Sequence, residues 1–310
     1  MLRSLFSAVS SLRNHQSALD VIANNLANVN TVGFKSGRAN FQETLSQTLS
    51  GPRAPAAAAG GAAQGLGGVN PSQVGLGMRL ASIDTIQTQG SFQNTGRVTD
   101  LAIQGNGFFV LSNQTPVGTP PSARISYTRD GSFDIDANGQ LVNPSNGMVV
   151  QGYAIPAGQL AANPAANAPL APIIIPPSQY ASFSVSPNGV LTGFASNGAA
   201  TAIAQIAIAN FPNPSGLQKV GSNMFEWTPA AGLAAGAPAT PDPQSIANNV
   251  SGIAGTSGRG ELMPGTLEMS NVDIASQMSA MIVTQRGFQV NSRSVTTGDE
   301  ILQELLNLKR

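Results

Sequence analysis

Apolar residues recur at helical spacing in both ends of the chain. From Leu2 to Leu26 they follow one another by alternating steps of three and four residues, with Gln16 as the one polar interruption. Such spacing is the seam of an amphipathic helix, and it predicts a helix from Leu2 to Asn28. Asn28–Gly33 then tolerates the left-handed conformation that ends a helix. A second short amphipathic stretch over Phe41–Leu49 completes a predicted N-terminal helical segment, residues 1–49.

The C-terminal segment, residues 266–310, carries the second helical pattern. Ser270 followed by Asp273 resembles a capping box and marks the predicted start. The apolar positions beyond it predict a helix of about 35 residues and about 50 Å, too long to lie on one small β domain. Gly287 and Gly298 each cost such a helix up to ~1 kcal/mol relative to alanine.

The middle of the chain, residues 74–227, alternates short strand-like runs with turn signals. Four Asn-Gly pairs punctuate these runs, beginning at Asn138, Asn146, Asn188 and Asn197. Asn-Gly favours β-hairpin turns because both residues accept a positive φ. Segments rich in Gly, Ala and Pro flank the region: residues 50–73 are predicted to be a low-complexity linker or arm, and residues 228–265 a loop and return segment. The predicted fold class is α+β, with an antiparallel β-rich central domain and long terminal helices that form a coiled-coil-like pair.

Composition excludes several classes of function. The 15 basic and 15 acidic residues give a formal net charge of zero. Without a basic run, neither a nucleic-acid partner nor an anionic membrane surface is expected. The chain has no cysteine, which excludes disulfides, thiolate catalysis and cysteine-based metal sites. We find neither an ordinary signal peptide nor an apolar run of about 18 residues, so membrane insertion is not expected.

Candidate chemistry is weak. Asp134–Gly139 matches the first half of a calcium-binding EF-hand loop, but the closing twelfth position is Ser145, so a β turn is expected. A β run rather than a helix follows Gly105–Gly107, which favours a turn over a dinucleotide-binding loop. His15, the only histidine, is predicted on the polar side of the first helix. We therefore predict no enzyme activity, no catalytic residue, no cofactor and no metal.

The apolar faces of the two predicted terminal helices need a surface to pack against. Pairing of the two helices within one molecule would bury only a narrow seam. Phe6, Ile22 and Ile282 lie beside that seam, which favours packing against helices of other molecules.

A family resemblance covers nearly the whole chain apart from its two low-complexity segments. The motifs that carry it are LDVIANNLANVNTVGFK at 19–35, NTGR at 94–97, DLAI at 100–103, GFF at 107–109, YTRDGSF at 127–133, LEMSNVD at 267–273 and MIVTQRGF at 281–288. Through these motifs the chain resembles the bacterial flagellar rod and hook proteins. Residues 210–217, 221–225 and 299–308 look most like those of hook subunits. Residues 153–180 are too few for the outer domain of many hook proteins, and distal rod subunits are the alternative.

The resemblance implies a structural subunit of the flagellar hook that assembles into a helical tube and couples motor torque to the filament. Head-to-tail contacts that do not close into a ring generate such a tube. The implied partners are further copies of the chain, adjoining rod and hook–filament junction proteins, a hook cap and the flagellar export apparatus. The implied location is the hook and basal body, outside the cell, after export without a cleaved leader. Outside the family, the alternatives are a secreted adhesin-like β domain or a hydrolase within the β region.

The terminal segments would carry the self-assembly. The residues expected to do so are Leu5, Phe6, Val9, Leu12, Leu19, Ile22, Asn24, Asn25, Leu26, Asn28, Gly33, Phe34, Lys35, Met278, Met281, Ile282, Phe288, Val295, Ile301, Leu302, Leu305 and Leu308.

Overall fold

The computed structural model describes residues 2–54, 67–113, 124–155, 169–176, 179–196, 198–233 and 243–308. The chain divides into two compact units. We call Met1–Ala27, Gly37–Thr85 and Asp273–Arg310 the helical unit, and Asn28–Ser36 with Ile86–Val272 the β body. The five-segment division inferred from the sequence stays a prediction.

Each unit has its own set of elements. The helical unit contains α1 (Leu2–Ala27), β1 (Gly37–Glu43), β2 (Ser46–Ser50), β3 (Ser72–Gly75), β4 (Met78–Thr85) and α3 (Ile274–Leu308). The β body contains β5 (Phe92–Asn94), β6 (Leu101–Gln104), β7 (Phe108–Ser112), β8 (Ile125–Thr128), β9 (Asp134–Ile135), β10 (Leu141–Val142), β11 (Val149–Ala154), β12 (Ala171–Pro172), β13 (Tyr180–Val185), β14 (Val190–Ala195), β15 (Ala200–Ile206), β16 (Ile208–Ala209), β17 (Gln218–Gly221), β18 (Met224–Glu226), α2 (Pro243–Val250), β19 (Ser251–Gly252), β20 (Glu261–Pro264) and β21 (Thr266–Glu268). The predicted fold class is confirmed: a large antiparallel β domain is accompanied by N- and C-terminal helices that pack together.

The terminal helices have the predicted extents. Helix α1 ends at Ala27, and α3 starts at Ile274. The predicted cap of α3 is wrong, because Asp273 rather than Ser270 occupies the capping position. The Asp273 carboxylate accepts a hydrogen bond from the amide of Ala275 at 3.1 Å, which satisfies one of the free amides of the first turn.

The second N-terminal helix predicted over Phe41–Leu49 is wrong. Strand β1 pairs with β4, with Gly37 opposite Thr85, and β2 pairs with β3. The apolar side chains of Phe41, Leu45 and Leu49 are four residues apart, a spacing that also fits a helix. Hydrogen bonding to a segment some 30 residues later decides the conformation, and local periodicity does not report such pairing.

The main sheet of the β body has 13 strands, eight of them in the order β13-β14-β15-β11-β7-β8-β18-β17. Three of the predicted Asn-Gly pairs do form turns, in which Gly139, Gly147 and Gly189 have φ of 78°, 68° and 81°, but the asparagine before each does not share the expected positive φ. The fourth begins at Asn197, outside the described residues. The predicted turn at Gly105–Gly107 lies between β6 and β7, and the one at Asp134–Gly139 joins β9 to β10.

Both faces of this sheet are covered by apolar side chains. Successive residues of β7 enter two different clusters, Phe109 and Leu111 in one and Phe108 and Val110 in the other. Because side chains alternate along a strand, these clusters lie on opposite faces. Every residue of β7 is buried as a result.

The loop and return segment predicted over residues 228–265 includes a short helix and a paired strand. Helix α2 buries Ile246, Ala247 and Val250, and β20 pairs with β6. A helix of 8 residues has too few apolar positions to show a period, so its formation depends on packing against the rest of the β body.

Candidate functional site

The two terminal helices pack against each other in antiparallel orientation. The Asn25 side-chain amide donates to Gln277 Oε1 at 3.1 Å, close to the end of α1 and the start of α3. Leu5, near the other end of α1, lies against Gly298 of α3. Asn25 is 1 % exposed, whereas Gln277 is half-buried, so the amide contact lies partly within the helix pair.

The helix glycines are explained by this pairing. A Cβ at Gly298 would lie 2.7 Å from Leu5 Cδ2, and one at Gly287 would lie 3.0 Å from His15 Cε1. The glycines therefore create space for α1 side chains, and this close approach offsets their low helix propensity. His15 lies half-buried in this helix contact, so the prediction that it faces the polar side is wrong.

Helix α3 leaves most of its large apolar side chains exposed. None of its residues is fully buried. The half-buried positions include small or polar residues such as Thr284, Gly287 and Asn291, whereas Ile282 and Val283 are 53 % and 71 % exposed. An apolar face of this kind gains free energy when another surface covers it.

The C-terminal end of α3 has no partner helix in this molecule among the described residues. Beyond the contact between Leu5 and Gly298, α3 extends to Leu308, whereas the described part of α1 extends only to Leu2. We call residues 301–308 the α3 overhang. Its exposed apolar residues are Ile301, Leu305, Leu306 and Leu308.

The predicted assembly residues fall into three groups by exposure. Those exposed to solvent are Phe6, Val9, Asn24, Met278, Ile282, Phe288, Ile301, Leu305 and Leu308. Those half-buried are Leu5, Leu12, Leu19, Ile22, Leu26, Asn28, Met281, Val295 and Leu302. Those buried within this chain are Asn25, Gly33, Phe34 and Lys35.

Of the buried group, Asn25 lies in the contact between α1 and α3, whereas Gly33, Phe34 and Lys35 belong to a second site, in the β body. We call Asn28–Ser36, which follows α1, the N-terminal connector, and Thr266–Val272, which precedes Asp273, the C-terminal connector. Lys35 Nζ lies 2.6 Å from Glu268 Oε1 and donates to the carbonyl of Thr88 at 2.8 Å. Both ionic side chains are 1 % exposed or less, so this is a fully buried ion pair joining the two connectors.

Arg129 makes the pair a triad. Its guanidinium lies 3.0 Å from Glu268 Oε2 and donates to the carbonyls of Ile103 and Gly105 at 3.3 and 2.7 Å. Burial lowers the pKa of Arg129 and of Lys35, and the Glu268 carboxylate opposes this by favouring both charged forms. The triad therefore balances a large desolvation cost against close charge pairing.

Amide side chains hold the same connectors. The Asn271 side chain donates to the carbonyl of Ile86 at 2.9 Å and accepts from the amide of Ser36 at 2.8 Å. Asn223 Nδ2 donates to the carbonyl of Val32 at 2.8 Å. Asn223 and Ser222 have φ of 56° and 50°, the two left-handed residues of a tight hairpin turn. That turn presents the Asn223 amide to the N-terminal connector.

Sequence reasoning missed the roles of Arg129, Glu268, Asn223 and Asn271. A signal was present, because only 10 % of the residues are charged. Lys35, Arg129 and Glu268 each occur inside a family motif, and Lys35 and Glu268 have apolar neighbours. A rare charge in an apolar setting is a candidate for a buried pair.

Neither a metal site nor a membrane span is evident in the described part of the chain. No group of three or more His, Cys, Asp or Glu side chains there is placed to hold a metal ion. No described helix combines the length and the hydrophobicity needed to cross a bilayer.

Three family profiles match this chain. Residues 5–35 match the flagella basal body rod protein profile, residues 102–193 the flagellar hook protein FlgE/F/G D1 domain, and residues 263–308 the flagellar basal body rod FlgEFG protein C-terminal profile. The flagellar basal-body rod protein FlgG of Bacillus subtilis is 42 % identical over 310 residues, with all of both chains aligned. The chain belongs to the bacterial flagellar rod and hook protein family.

Two further relatives represent both branches of this family. The FlgG rod protein of Borreliella burgdorferi is 36 % identical over 313 residues, and its FlgE hook protein is 31 % identical over 471, each with all of both chains aligned. The protein is thus a structural subunit of the flagellum, which confirms the predicted resemblance and the predicted location in the flagellum. The family is one of structural proteins rather than of enzymes.

Proposed function

We propose that the exposed faces of α1 and α3 are the surfaces through which copies of this chain assemble into a helical tube. One observation carries the proposal: α3 has no fully buried residue, although it carries large apolar side chains along its length. The α3 overhang extends this apolar surface beyond the contact with α1. Assembly would cover these side chains with the terminal helices of neighbouring subunits.

Within the family, we propose a distal rod subunit rather than the hook subunit favoured by sequence motifs alone. Alignment length supports the rod: the two rod relatives align over 310 and 313 positions, close to the 310 residues of this chain. Two hook relatives align over 471 and 493 positions, so they carry insertions that this chain lacks. The hook remains the second candidate, because 31 % identity extends over the whole chain.

The proposed neighbours follow from this position. Copies of the same chain would contact one another along the tube, with adjoining rod and hook-junction proteins at its ends and a cap at the growing end. The flagellar export apparatus would deliver the subunits. These partners come from the family role and not from a feature of the described surface.

Removing the α3 overhang tests the assembly proposal. A variant lacking residues 303–310 keeps the contacts of Asn25, His15 and Leu5 with α3, so the monomer should unfold at the same urea midpoint. At high concentration the full chain should form tubes visible by negative-stain microscopy, and the variant should not. Tubes of normal length and number from the variant would contradict the proposal. A matched control replaces Lys309 and Arg310 alone with alanine.

Electron microscopy of labelled basal bodies separates the rod from the hook. A label on this chain should lie in the rod, below the outer surface of the cell. A label confined to the external hook would reverse the assignment while leaving tube formation unaffected.

A further inference from the structure

The buried triad of the β body draws its members from three distant parts of the chain. Lys35 lies in the N-terminal connector, Glu268 in β21, and Arg129 directly after β8. The separations along the sequence are 233 residues for Lys35 and Glu268 and 139 for Arg129 and Glu268. The cluster therefore forms only when the two connectors lie together within the β body.

The triad has two cations and one anion. Among the residues that the structure describes, Glu268 is the only carboxylate in an ion pair with Lys35 or Arg129. Arg129 Nε is itself buried without a hydrogen-bond partner. Loss of Glu268 would thus leave two buried cations unpaired, whereas loss of Lys35 would leave a neutral Arg129–Glu268 pair.

Glu268 also holds the N-terminal connector through its backbone. Its carbonyl accepts a hydrogen bond from the amide of Gly33 at 2.8 Å, and β21 pairs with β5 by placing Glu268 opposite Phe92. Gly33 has φ of 68°, and a Cβ there would lie 2.6 Å from the amide nitrogen of Asp130. At Gly33 the connector therefore lies so close to the Arg129 segment that a side chain would not fit between them.

We propose that Glu268 is a latch that makes attachment of the N-terminal connector to the β body conditional on the C-terminal connector. Until Glu268 is in place, Lys35 stays in solvent and the connector leading to α1 remains loose. The N-terminal connector, which follows α1, would then be ordered only in a chain that also contains the C-terminal connector. This inference concerns the monomer and does not depend on tube formation.

Amide hydrogen exchange of the full-length monomer tests the latch. We expect Glu268→Gln to speed exchange of the Gly33 and Ser36 amides at least a hundredfold, while amides of β7 stay protected. Lys35→Met should speed exchange at Gly33 tenfold or less, because the Arg129–Glu268 pair persists. If Glu268 contributed only to packing, the two variants should speed exchange of the Gly33 amide by similar factors.

Three results would overturn the latch. The first is an exchange rate of the connector amides in Glu268→Gln that equals that of the unmodified chain. The second is an increase in exchange at Gly33 that is as large in Lys35→Met as in Glu268→Gln. If Glu268→Gln alone does not fold, exchange is measured on the double variant Lys35→Met with Glu268→Gln. This variant leaves only Arg129 as a buried cation without an ionic partner. A folded double variant with fast connector exchange supports the latch, whereas slow exchange or failure to fold is the third contrary result.

Discussion

Phe6 offers a direct measure of the free energy available for assembly. Its side chain is 70 % exposed on α1, next to Leu5, which packs against Gly298. A phenylalanine buries about 200 Å² when fully covered, so about 140 Å² of Phe6 remains for a neighbouring subunit. At about 25 cal/mol per Å², covering that area contributes at most about 3.5 kcal/mol.

The variant Phe6→Ser should therefore raise the critical concentration for tube assembly. Since about 1.4 kcal/mol is a factor of ten, the rise should lie between about tenfold and 300-fold. Monomer stability should change by no more than about 0.5 kcal/mol, because the side chain is exposed in the monomer. Sedimentation of assembled material over a concentration series gives the first quantity, and urea unfolding gives the second.

Leu5→Ala is the matched control. Leu5 is half-buried within the molecule, so its truncation should cost the monomer about 1–2 kcal/mol, below the range for fully buried leucines. An unchanged critical concentration for Phe6→Ser would refute the reasoning. So would a loss of monomer stability as large as that of Leu5→Ala, because Phe6 would then be packed within its own chain.

Two predictions concern the β body. Gly131→Ala should lower the free energy of unfolding by about 3 kcal/mol, because its Cβ would overlap the Leu101 carbonyl and weaken the 3.0 Å bond from the Leu101 amide to the Gly131 carbonyl. Gly51→Ala, whose Cβ meets no atom within 4 Å, is the control in urea unfolding, and equal midpoints would contradict this account. Burial raises the pKa of Tyr127 above its usual range, so the folded state keeps a proton that the unfolded state loses above about pH 10. The stability due to this group is complete below pH 10 and falls as pH rises towards the folded-state pKa, by about 1.4 kcal/mol at pH 11. Urea midpoints at pH 8.5 and 11 should show a smaller loss for Tyr127→Phe, and identical losses would argue against a buried neutral phenol.

Part of the outer face of α3 was predictable from the sequence. Met278 and Ile282 were expected to remain available for neighbours, and both are exposed. Their part in assembly stays a proposal. The inner contacts were not predictable, since nothing local pairs Gly287 with His15 across two ends of the chain.

The buried residues of the N-terminal motif show where a prediction from sequence motifs fails. Lys35 and Gly33 were assigned to assembly because they occur in the N-terminal signature. The structure places both inside the β body, where they contact Glu268 or its backbone. A motif indicates that a residue matters to the fold or to a surface, but not which of the two.

The sequence by itself determined the features that depend on near neighbours. Helical spacing specified α1 and α3, and Asn-Gly pairs specified tight turns, because both signals lie within a few residues of the structure they produce. The tertiary structure alone decided that Phe41–Leu49 forms strands and that Lys35, Arg129 and Glu268 share one buried site. Strand pairing and buried charge depend on partners far away along the chain, and only folding brings those partners together.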